Sequence, residues 1–146
     1  MPPLRRMTRL SAVALAIVLL SGFGCNQQSR TYAVASNAIA HALLNAQQAA
    51  RQGATDGVIS VYDENQFEAL LSKTSIAGME LNQAIRANQS KATVSVKVTQ
   101  FLEAFRVLVN TGVAGIKDPK LQISLATILN GAEASIGVIS AGIGGQ

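Results

Sequence analysis

Among the side chains that most often carry chemistry, this chain of 146 residues has a single cysteine, Cys25, and a single histidine, His41. One thiol cannot close an internal disulfide, and one thiol with one imidazole falls short of the common zinc ligand sets. Acid–base work by an imidazole would have to use His41. The positions four residues to either side of it are Asn37 and Asn45, not carboxylates. On a helical wheel it falls about 160° from Ile39, on the polar face, so it reads as a solvated surface residue. The inward Glu-x-x-His pairs of a di-metal bundle are missing, and so is the G-x-S-x-G turn of a serine hydrolase. The run Gly142-Ile143-Gly144-Gly145 has no Lys-Ser/Thr and no helix after it, as a phosphate loop would require. The expectation is a non-enzymatic protein with no catalytic residue, no metal and no cofactor, and His41 is the only support for the contrary view.

Cys25 has a more informative setting. Arg5, Arg6 and Arg9 precede an eleven-residue apolar run at 10–20 (LSAVALAIVLL), small residues follow in Ser21-Gly22-Phe23-Gly24, and then comes the cysteine. This is the layout of an export signal. The apolar stretch, about 16 residues even when counted to Cys25, is short of the roughly 20 that cross a bilayer as a helix. The first 26 residues resemble a bacterial lipoprotein precursor, with Gly24 as the small residue before the acylated cysteine. The resemblance implies that Cys25 is the lipidation site, diacylated on sulfur with chains such as palmitate, and becomes the new N-terminus. Gly22 and Phe23 stand where that pattern usually has Leu and a small residue, and Gly22-Phe23-Gly24 also fits ordinary signal peptidase. An unmodified thiol after ordinary cleavage and an uncleaved anchor therefore stay open beside the lipid site. Acylation would remove the stray-disulfide liability of an exported free thiol. Asn26 in place of Asp implies, by the same resemblance, the periplasmic face of the outer membrane if the host is Gram-negative.

Charge adds little at this level. The chain has 12 basic and 8 acidic side chains, a formal +4. Setting aside Arg5, Arg6 and Arg9 leaves 9 against 8, or +1, and these nine are interleaved with acids along the chain. Nucleic-acid binding needs clustered cations, so no nucleic-acid partner is expected.

The elements come from periodicity. An apolar content of 49% and a charged content of 14% suit a folded domain. We read residues 1–24 as signal peptide, 25–29 as a polar tether and 30–146 as one domain. The apolar sets Tyr32, Ala35, Ile39, Leu43, Ala46, Ala50, then Phe67, Leu70, Leu71, Thr74, Gly78, Leu81, Ile85, each define one helical face. Gly53 should stop the first helix, with a turn at Thr55-Asp56-Gly57 after it, and Ser60-x-x-Asp63, or in a second register Asp63-x-x-Gln66, should open the second, which ends near Asn88. Val94, Val96 and Val98 alternate like a strand, but Val94, Val98, Phe101, Leu102, Phe105, Leu108 and Val109 form a longer helical face, so a helix is predicted. Ser90 should cap it, and Gly112 and Gly115 should break it. Asp118-Pro119 opens a fourth helix with Leu121, Leu125, Ile128, Leu129, Ala132, Ile136, Ile139 and Ile143 on one face.

The expected fold class is therefore all-α, an up-down bundle of about four amphipathic helices after the signal peptide. Ile76, Met79, Val96, Val107, Ile123 and Val138 lie off the main faces. Wide helix contacts explain them, or a second apolar surface for a protein partner or a homo-oligomer. The stretch 121–145 carries one charge, Glu133, yet polar residues recur through it, which suits a bundle helix better than a membrane span. The function implied is an envelope lipoprotein, held to the membrane by acyl chains on Cys25, that acts as a binding or scaffold module. The alternative is a lipid-carrying or membrane-perturbing module using the last helix.

Overall fold

Three of the four helices begin where a side chain answers the backbone N–H groups that a helix start leaves unbonded. Ser60 Oγ accepts from the Asp63 N–H at 3.1 Å, Ser90 Oγ from Thr93 N–H at 3.2 Å, and Asp118 Oδ1 from Leu121 N–H at 2.7 Å. In this computed structural model, which describes residues 27–144, the elements are α1 (Gln27–Thr55), α2 (Val61–Arg86), α3 (Lys91–Val107) and α4 (Pro119–Gly144). A π-helical turn, Leu108–Val113, extends α3. No strand occurs among the described residues. Val94 and Val98 are buried on α3 while Val96 is 55% exposed, the separation that a helical period gives and an alternating strand would not.

The element boundaries correct two expectations. Helix α1 is described from Gln27, and Cys25 and Asn26 lie outside the described residues. Gly53 does not stop α1. It stays helical because it is the point where α4 comes closest: a Cβ there would meet Leu121 Cδ2 at 2.6 Å. The stop is Gly57, at φ +73°, in a Schellman closure: Val58 N–H donates to Gly53 O and Gly57 N–H to Ala54 O. Asn88, at φ +50°, closes α2 in the same way, through Gln89 N–H to Ala84 O and Asn88 N–H to Ile85 O. Gly112 does not break α3 either. It lies inside the π turn, buried, where a Cβ would come 3.3 Å from Phe67, Leu70 and Leu108. The wider turn lets the helix continue to Val113 with Leu108 and Val113 still facing the core.

The helices pack antiparallel in chain order and close into a ring. Arg51 Nε meets Glu68 Oε1 at 2.6 Å between α1 and α2. Thr74 Oγ1 donates to Ala104 O, and Lys97 Nζ meets Glu80 Oε2 at 2.7 Å, between α2 and α3. Helices α1 and α4 share the most extensive contact, from Gly53 beside Leu121 at one end to Gly142 beside Tyr32 at the other. The shared core includes Phe67, Phe101, Leu108, Leu125 and Leu129, each fully buried. The core residues described run from Tyr32 to Ile143 and come from all four helices and the π turn.

Candidate functional site

Cys25 lies outside the described residues, two positions before α1 begins. His41 is exposed on α1. Among the described residues no group of three His, Cys, Asp or Glu side chains converges as metal ligands would.

A cavity of about 30 Å³ lies where α1 and α2 meet Phe101 and Ile139, bordered by Ser36, Ser75, Met79 and Asn82. It has room for one or two waters and none for a substrate. Ser36, Ser75 and Asn82 are buried, and Ser75 Oγ donates to Leu71 O at 2.9 Å. Sequence reasoning passed over these three because they are polar. Their spacing carried the signal: each stands three or four residues from apolar face positions on both sides, Asn82 between Gly78 and Ile85 for example.

The off-face apolar residues divide. Met79 turns inward to the cavity, whereas Ile76, Val96, Val107, Ile123 and Val138 are exposed. Val34 and Tyr62, which sequence reasoning did not single out, are each 70% exposed. Helix α4 is long and apolar enough to cross a membrane by length and composition. It nevertheless contributes Leu125, Leu129, Ala132, Ile136 and Ile139 to the core.

One end of the bundle collects the remaining features. The start of α1, the end of α2, the start of α3 and the end of α4 meet there, as the antiparallel order requires. Two surface grooves open at this end. One, about 390 Å³, runs between α1 and α4 past Arg30, Val34, Ala38 and Val138. The other, about 510 Å³, runs between α3 and α4 past Lys91, Val98, Leu102 and Ile143. The chain leads from this end toward Cys25. Comparison with known protein families, with curated proteins and with solved structures finds no match to this chain.

Proposed function

We propose that this chain is a bacterial envelope lipoprotein, anchored by acyl chains on Cys25, whose helical bundle serves as a non-enzymatic binding or scaffold module. The observation that carries the reading is the N-terminal order of arginines, an eleven-residue apolar run, small residues and the sole cysteine. The first helix of the bundle, α1, is described from Gln27, two residues after that cysteine. Two acyl chains on one thiol make residence at a membrane persistent, where one chain gives only marginal binding. The exposed apolar side chains Ile76, Val96, Val107 and Ile123 supply surface for a protein partner or a second copy. A lipid carrier is the weaker reading, since α4, the helix it would use, gives Leu125, Leu129, Ala132, Ile136 and Ile139 to the core.

Metabolic labelling with a fatty-acid analogue tests the anchor. Wild-type protein should incorporate label and fractionate with membranes, and Cys25→Ala should do neither. Equal labelling of the two proteins would remove the anchor from this reading.

A further inference from the structure

The nine basic residues outside the leader look dispersed along the sequence, yet the fold sorts them. At the end from which the chain leads to Cys25, the charged side chains among the described residues are Arg30, Arg86 and Lys91, all exposed, with no Asp or Glu among them. The nearest acids along the helices are Glu80, held by Lys97, and Glu133, midway along α4. The opposite end carries Asp56, Asp63, Glu64 and Asp118 against Lys117 and Lys120, besides the paired Arg51 and Glu68.

Helix energetics do not account for this placement. A helix N-terminus carries partial positive charge and favours acids in its first turn. Helix α2, starting at the far end, follows that preference with Asp63 and Glu64. Helices α1 and α3, starting at the cysteine end, have no acid in their first turns; Arg30 and Lys91 stand there instead. Arg86, at a helix C-terminus, is in its ordinary place. Arg30 and Lys91 are thus set against the local preference, and each borders one of the two apolar grooves.

We infer that this end of the bundle is a contact surface for anionic phospholipid. Arg30 and Lys91, supported by Arg86, meet the headgroups. Basic side chains next to an anionic leaflet attract it over roughly one Debye length, about 8 Å at physiological salt. Helices α1, α2 and α4 are about 40 Å long at 1.5 Å per residue, so the acidic far end lies beyond that reach and the near end alone sets the orientation. The result is a bundle standing upright on the membrane, with its far end and the faces of α2 and α3 turned to the surrounding space.

This orientation rests on the reading of Cys25 as the anchor, but its test does not need the acyl group. The chain from residue 25 onward carrying Cys25→Ser, which retains every described core residue, can be sedimented with vesicles of phosphatidylglycerol or of phosphatidylcholine. Binding should favour the phosphatidylglycerol vesicles and weaken with added salt. Arg30→Glu with Lys91→Glu should lower that binding by about tenfold or more, while thermal unfolding shows the variant at least as stable, since acids suit those helix starts. Lys117→Glu with Lys120→Glu should bind as the parent does. Equal sedimentation with the two lipids, full binding by the Arg30/Lys91 variant, or equal loss in the far-end variant would each overturn the inference. Failed labelling of Cys25 with retained vesicle binding would remove the anchor and leave this surface standing; the reverse pair of results would do the opposite.

Discussion

Asn88 and Gly57 occupy equivalent places in two helix closures, and the difference between them can be measured. Both are left-handed, at φ +50° and +73°, a region that glycine enters freely and that other residues enter at a cost of about 1 kcal/mol. Asn88→Gly should therefore raise stability by up to about 1 kcal/mol, and Gly57→Ala should lower it by a similar amount. Urea unfolding midpoints of the two variants against the parent check both signs. The first site was legible because asparagine is the usual substitute for glycine at such a closure. The second was misplaced to Gly53, because a glycine near the end of an apolar face looks the same whether it stops a helix or admits a neighbour. Only the approach of Leu121 distinguishes them.

At the scale of the element, periodicity and caps identified all four helices, and Ser60, Ser90 and Asp118 cap where the sequence put them. The π turn was not legible. Gly112 is a breaker by propensity, and the contacts with Phe67 and Leu70 that hold it in the helix come from a segment some forty residues earlier. Helix α4 offers a test of its own. Gly131 and Gly137 lie within it, exposed, and a Cβ at either would meet nothing within 4 Å. Replacing each by Ala should stabilise the protein by about 0.5–1 kcal/mol, through the lower backbone freedom of the unfolded chain. Thermal unfolding of the single and double variants should show nearly additive gains, because the two glycines are separated by more than one turn and share no partner. A loss in either would mean that the outer face of α4 is less open than it looks.

For the whole molecule, the sequence prescribed the class of fold but not how its surface is divided. The up-down bundle follows from four apolar faces and short connections. The gathering of Arg30, Arg86 and Lys91 does not, since residues up to sixty positions apart along the chain come together only once the antiparallel order is known. The buried Ser36, Ser75 and Asn82 show the same gap on the inside, where side-chain chemistry hid what spacing would have indicated.

The pairing of α1 with α4 also sets a schedule. The helix that leaves a ribosome or a translocon first has its main partner in the helix that leaves last, while α2 and α3 are neighbours in sequence and can zip together as a hairpin at once. Until α4 arrives, the face of α1 holding Ile39 and Leu43 has only part of its cover. Pulse-labelled hydrogen exchange during refolding should find amides of α2 and α3 protected before those of α1, with α1 and α4 gaining protection in one step. A newborn chain would in that interval be most exposed to capture by holding chaperones, and along the stretch closest to Cys25.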